Sequence, residues 1–252
     1  MTEKEPHISI RNLTMAYGDF VVMQDLTFNI NRADIFIIMG GSGCGKSTLM
    51  NILIGLKVPT KGKVLYGEVD FWGADPQTRE RIIRRSGVMY QSGALWSSMT
   101  LAENVSLPLE TYTDLTATQI RKVVGLKLAL VGLAGFEEFY PAEISGGMQK
   151  RAGIARAMAL DPEILFFDEP SAGLDPVSAR RLDDLILELN DSLGTTMVVV
   201  THELASIFAI GSNSVFLDAS KRTMTATGNP KKLLAETQDL TLRLFLTRGE
   251  KS

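Results

Sequence analysis

Residues 35–48 read Ile35-Phe36-Ile37-Ile38-Met39-Gly40-Gly41-Ser42-Gly43-Cys44-Gly45-Lys46-Ser47-Thr48, and their order decides the fold. Residues 35–39 are continuously apolar, as expected of a strand buried on both faces of a parallel sheet. After Thr48, Leu49, Ile52 and Leu53 recur at helical spacing. Between strand and helix lies Gly40-x-x-x-x-Gly45-Lys46-Ser47, a complete phosphate-binding loop in its required context. Several backbone N–H groups must point inward at a triphosphate, and glycines allow that path and that close approach. The following helix N-terminus favours anions. Gly40, Gly41, Ser42, Gly43, Cys44, Gly45, Lys46, Ser47 and Thr48 are therefore candidate nucleotide-binding residues. Lys46 reaches the β and γ phosphates as a point charge, and Ser47 offers a hydroxyl to Mg²⁺.

Outward from this loop, strands and helices alternate. Residues 8–13, 21–23 and 26–30 read as strands of a partly exposed antiparallel sheet, with a turn at Gly18-Asp19. Residues 63–66, 87–91, 164–167, 195–200, 215–217 and 224–226 supply further strands. Residues 78–85 and 176–190 read as helices, the second with Leu182, Leu185, Ile186 and Leu189 on one face. From residue 100 to 144 no strand pattern occurs; 102–109, 116–130 and a short following segment are helical in character. A long helix then opens at Ser145-Gly146-Gly147 and runs to about residue 160. The expected architecture is α/β: a mostly parallel core sheet, an antiparallel β-subdomain and an α-helical insertion at about 100–160. All 252 residues form one domain in this reading, with a short helix at 230–237 and a helical tail over 239–252.

Bulk composition narrows the class. Hydrophobic residues make up 45% and charged residues 22%, an ordinary globular balance. A net charge of −3 gives no basic face for nucleic acid. The single cysteine, Cys44, cannot form an internal disulfide and reads as a small residue tolerated in the loop. The polar N-terminus lacks the apolar core of a secretory signal. Apolar runs such as 128–136 fall short of the ~18 residues that cross a bilayer. The expectation is a soluble protein, or one held at a membrane by a partner.

Two further segments carry chemistry. Asp168-Glu169 follows the apolar strand 164–167. One carboxylate there can hold Mg²⁺, and its neighbour can orient and polarise an attacking water. Ser145-Gly146-Gly147 at a helix N-terminus makes a second anion site, or a simple serine cap. No asparagine is followed by lysine, so the Asn-Lys-x-Asp guanine reader of GTPases is missing.

Ile144-Ser145-Gly146-Gly147, with the phosphate loop and Asp168-Glu169, resembles the ABC-type ATPases, the nucleotide-binding subunits of transporters. The resemblance runs from about residue 8 to 226. It implies a head-to-tail dimer in which Ser145–Gly147 of one copy caps the γ-phosphate held by the other copy's loop. It also implies that Tyr17 stacks on adenine, that Gln91 senses Mg²⁺ and the transporter, and that His202 contacts the γ-phosphate. Segment 171–175, Ser171-Ala-Gly-Leu-Asp175, would cross the dimer interface near the water. The implied catalytic set is Glu169, His202, Lys46 and Gln91; the implied metal ligands are Ser47, Gln91 and Asp168; the implied cofactors are ATP and Mg²⁺. Met148 stands where the family usually has glutamine, which affects contacts of that side chain and leaves the glycine N–H groups untouched.

Gln91-Ser-Gly-Ala-Leu-Trp96 together with Ser145-Gly-Gly-Met148 looks like the ATPases of Mla/Mce-type lipid transporters. That resemblance implies a second copy of the chain, two transmembrane permeases and Mce-domain proteins as partners. It places the chain at the cytoplasmic face of the inner membrane, with phospholipids or other hydrophobic molecules as cargo. Leu95, Trp96 and Met99 are apolar for a loop, which suits either a permease-docking surface or internal packing. The alternatives are an ABC transporter of different cargo, a non-transport relative acting on DNA or ribosomes, and a metabolic kinase. Long coiled-coil arms, zinc-binding cysteines and a second ATPase unit, the marks of the non-transport relatives, are not present.

Overall fold

The computed structural model describes residues 5–91 and 93–249. Residues 1–4, Ser92 of the loop after Gln91, and residues 250–252 of the expected tail lie outside that range. In chain order the elements are β1 (Pro6–Tyr17), β2 (Phe20–Asn31), β3 (Ile35–Gly40), α1 (Lys46–Leu53), β4 (Lys61–Tyr66), β5 (Val69–Asp70), α2 (Pro76–Arg84) and β6 (Ser86–Met89). Next come α3 (Leu101–Tyr112), α4 (Ala117–Leu130), one 3-10 turn (Pro141–Glu143) and α5 (Gly146–Ala157). The chain continues through β7 (Ile164–Asp168), α6 (Pro176–Leu193), β8 (Thr196–Val200), α7 (Leu204–Ile210), β9 (Asn213–Asp218), β10 (Thr223–Thr227), α8 (Pro230–Glu236) and α9 (Leu240–Leu246).

Two sheets form. The core sheet has the order β10-β9-β3-β8-β7-β6 and is parallel except for β10. The second sheet is antiparallel, in the order β2-β1-β4-β5. Every residue of β3 and β8 is buried, which accounts for their unbroken apolar runs. One apolar cluster, with Phe36, Ile38, Leu49 and Val198, lies between the sheets around α1. The other, with Ile37, Met39, Val199, Leu182 and Ile186, fills the opposite face of the core sheet and extends among α3, α4 and α5.

The sequence pattern breaks β2 in two, whereas the strand is continuous. Leu13 pairs with Leu26 and Met15 with Met23, so two residues, Gln24 and Asp25, face one. Asp25 takes φ +56 at this bulge, and two adjacent exposed polar residues interrupt the alternation. The segment after α4 is a run of turns closed by the 3-10 turn, not a further α-helix. Helix starts follow local chemistry. Asp75, Asp175 and Asn229 cap α2, α6 and α8 and each is followed by proline, which is pre-set for the first helical position. Thr100 with Glu103 and Thr116 with Gln119 form capping boxes for α3 and α4. The C-terminal α9 does not stand free: Leu242 and Leu246 are buried in the core, and Phe245 packs on Phe216 of β9.

Candidate active site

The carboxyl ends of β3, β7 and β8 lie side by side, and the chemistry-bearing residues leave from them. At the end of β3, Gly40 takes φ +151. A Cβ there would meet Leu217 O at 2.6 Å and Cys44 Sγ at 2.7 Å, so no other residue fits. Gly45 takes φ +96, and a Cβ there would lie 2.7 Å from Val22 Cγ1. The loop wraps onto the first turn of α1, which has no side-chain cap. Its N–H groups are thus open to an anion. Lys46 Nζ donates to Gly40 O at 2.9 Å and Gly41 O at 3.0 Å, which holds the ammonium over the loop. Cys44 lies beneath the loop, and burial pushes its thiol pKa up, so it is a packing residue and not a reactive thiol.

At the end of β7, Glu169 adopts φ +48, a costly conformation for a non-glycine residue. Its N–H donates to Val200 O at 2.8 Å, which ties the turn to β8. One carboxylate oxygen, Oε1, lies 2.8 Å from His202 Nδ1, whereas Oε2 is buried without a partner. Asp168 Oδ1 and Ser171 Oγ are likewise buried and unpartnered. Folded proteins satisfy nearly all such atoms, so three within four residues leave a cluster of oxygens that a ligand could engage. Burial raises the Asp168 pKa, the charge of Glu169 adds to that rise, and Lys46 opposes it.

A cavity of about 910 Å³ opens above these strand ends. Gly40, Gly41, Ser42, Gly43, Gly45, Lys46, Ser47, Thr48, Tyr17, Gln91, Glu169 and His202 all line it. The Tyr17 ring is exposed and carries Lys57 Nζ 3.8 Å from its centroid, while its hydroxyl lies 3.4 Å from Thr48 Oγ1. Ser145, Gly146 and Gly147 stand outside the cavity in this single chain. Ser145 caps α5, its Oγ accepting from Met148 N at 3.3 Å, and Ser145 and Gly146 face solvent.

Sequence reasoning missed several participants. The loop after Gln91 is wired down by Asn104, whose Oδ1 accepts from Trp96 N at 2.7 Å and whose Nδ2 donates to Trp96 O and Met99 O, both at 3.1 Å. Asn104 is fully buried, and its place on the apolar stripe of α3 beside Leu101 and Val105 was the signal. Lys150 donates to Gln91 O, and Arg156 donates to Ala94 O and Gly93 O, so α5 grips the same loop. Leu95 packs against the core, whereas Trp96 is 58% exposed. Leu204 of α7, and Leu244, Phe245 and Arg248 in and after α9, also line the cavity, and no local pattern announced them.

The sequence profile of the ABC transporter family matches residues 23–172. The chain belongs to the ABC transporter ATP-binding family. It is an ATPase subunit of a transporter. Among curated relatives, the intermembrane phospholipid transport system ATP-binding protein MlaF of Haemophilus influenzae is 37% identical over 96% of this chain and 90% of its own length. The probable ribonucleotide transport ATP-binding protein mkl of Mycobacterium tuberculosis is 37% identical over 95% of this chain and 66% of its own length. Among solved structures, the ATP-binding cassette MJ0796, a dimer in a post-hydrolysis state bound to ADP and Pi, superimposes with a TM-score of 0.78. It is 30% identical to this chain, covering 88% of it and 98% of MJ0796. Among the described residues, no helix is long and apolar enough to cross a membrane.

Proposed function

We propose that this ABC ATPase works as a head-to-tail pair and drives phospholipid movement through separate permease subunits. The dimer reading is carried by what one chain leaves unfinished. The phosphate loop, Glu169 and His202 share a cavity, while Ser145–Gly147, the other anion-binding element, stays outside it. A second copy resolves this by presenting its Ser145 N-terminus to the γ-phosphate held over Lys46. The dimeric, ADP- and Pi-bound relative supports that arrangement.

In this reading Tyr17 stacks on the adenine and Lys57, now on its ring, shifts or remains on the far face. The loop N–H groups and Lys46 hold the phosphates. Glu169 orients a water in line with the γ-phosphate, and its free Oε2 is the acceptor for that water's proton. His202, hydrogen-bonded to the other oxygen, keeps the carboxylate aimed and presents its imidazole to the γ-phosphate. Ser47, Gln91 and Asp168 are the oxygen donors that would hold Mg²⁺, and the unpartnered Oδ1 of Asp168 fits a hard cation. Mg²⁺ supplies charge neutralisation on the phosphate oxygens. Loss of the γ-phosphate removes the bridge between the copies and lets them part.

Motion leaves through the loop 91–99, which α5 grips from behind. A groove of about 570 Å³, lined by Phe71, Ile83, Pro108, Tyr112 and Arg156 among others, is linked to that loop through Arg156, which also holds Gly93 O and Ala94 O, and suits a short permease helix. The phospholipid reading rests on similarity to MlaF over 96% of the chain. It places the chain at the cytoplasmic face of the inner membrane, with Mce-domain proteins in the same complex. Purification of the tagged chain from its native membrane, with mass spectrometry of partners and bound lipid, tests it. Permease subunits with bound phospholipid are expected. Ribosomes or nucleic acid in place of permeases would overturn the transport assignment, and ATPase stimulation by ribonucleotides but not phospholipids would overturn the cargo.

A further inference from the structure

Asp183, in the second turn of α6, is only 3% exposed, yet it bears a carboxyl group. Ser206 Oγ, in the first turn of α7, is equally buried and donates to Asp183 Oδ2 at 2.9 Å. Asp183 Oδ1 has no partner. The pair is embedded among Leu182, Ile186, Ile207 and Ile210 of the main apolar cluster. Burial drives the Asp183 pKa up to about 6, and the bond from Ser206 only partly offsets it. A carboxyl group here costs stability that two apolar side chains of similar volume would not. Stability therefore does not explain the pair.

Its position in the chain does. Helix α6 begins directly after segment 171–175, with Asp175 as its cap. Helix α7 begins two residues after His202. Glu203, at the N-cap of α7, makes no side-chain capping bond; its carboxylate instead pairs with His202 Nε2 at 3.6 Å and with Arg248 at 3.7 Å, so neither contact reaches α6. The bond from Ser206 is the polar side-chain tie that fixes its first turn to α6. The stretch between His202 and Ser206 is short and held, with Glu203 N donating to Thr201 Oγ1 at 3.1 Å and Ile207 N to Glu203 O at 3.0 Å. A shift of α7 is therefore a shift of the His202 backbone.

We propose that Asp183 and Ser206 are positioning residues, a buried strut that ties the helix behind His202 to the helix behind segment 171–175 and so holds His202 against Glu169. The strut makes the pairing of His202 with Glu169 respond to any movement of segment 171–175, the stretch nearest the partner copy in the dimer reading. The proposal rests on His202 acting at the γ-phosphate.

Steady-state ATP hydrolysis by the purified full chain tests it, together with NMR of the imidazoles. The chain has two histidines, His7 and His202, so their signals separate readily. Asp183→Ala and Ser206→Ala should each lower kcat about tenfold with KM for ATP within about twofold, as expected when a reacting group is misaligned while substrate binding is kept. Asp183→Asn, which keeps the acceptor oxygen, should recover most of the rate and guards against misfolding of the alanine variant. The His202 ring signal should move in Asp183→Ala and Ser206→Ala, and that of His7 should not. Parental kcat and an unmoved His202 signal in both variants, with His202→Ala inactive, would overturn the strut. Parental turnover in His202→Ala would overturn the reading beneath it, while the His202 signal still decides the strut on its own.

Discussion

The two ends of the core sheet use the same kinds of residue to opposite purpose. At the amino ends of β7 and β8, polar groups are satisfied by one another. His7 Nδ1 lies 2.8 Å from Thr196 Oγ1, which also accepts from Ala33 N at 3.0 Å. His7 Nε2 lies 3.5 Å from Glu163, and Arg32 and Arg85 close around the same carboxylate. Asn31 and Asn213 both donate to Asp34. At the carboxyl ends, Asp168, Glu169 and Ser171 each keep a buried oxygen with no partner, and Glu169 sits on a strained backbone. The first arrangement is a clamp that holds the strands together. The second leaves oxygens unpaired on a backbone that the surrounding fold must enforce, the arrangement expected where a ligand is to be bound.

The largest expected effect lies at the unsatisfied end. Glu169→Gln should cut ATP hydrolysis at least about a hundredfold, since in the proposed mechanism it removes the acceptor of the water's proton. Its melting temperature should not fall, because the buried oxygen it replaces had no partner. A large drop in thermal stability with hydrolysis intact would erase the contrast between the ends. Lys46→Ala should weaken ATP binding more than about tenfold by calorimetry with little change in melting, because Lys46 bonds only carbonyls of its own loop.

At the satisfied end the pattern should invert. Thr196→Val strips the buried hydroxyl from His7 and from Ala33 N, and should cost about 1–3 kcal/mol in denaturant unfolding with kcat unchanged. The smallest effect is a pH dependence. Burial first, and then Arg32, lower the pKa of His7 from 6.5. The folded state thus binds this proton less readily than the unfolded chain. The stabilisation tied to neutral His7 is fully present above pH 6.5 and is lost as pH falls through the lowered value. Exchange of His7 for Gln should flatten the fall in melting temperature between about pH 7 and pH 5, and an unaltered slope would count against the clamp.

What the sequence revealed follows from how local each feature is. The phosphate loop, the buried strands and the carboxylates at 168–169 are contiguous, so a short window held their meaning. The bulge at Asp25 was hidden because two exposed residues in a row mimic a strand end. The wiring of the loop after Gln91 was hidden because Asn104, Lys150 and Arg156 reach it from α3 and α5. Asp183 and Ser206 lie 23 residues apart and look like ordinary polar positions until the helices meet. The wall that α9 adds to the cavity depends on packing over β9, which no periodicity encodes.

In the proposed function the site is half of a shared one. Light scattering on the full-length Glu169→Gln chain, with and without MgATP, measures this directly. A shared site requires a monomer without nucleotide, a dimer with MgATP, and loss of that dimer when Ser145→Arg is added. A chain that stays monomeric in millimolar MgATP, or a dimer indifferent to the change at Ser145, would contradict it.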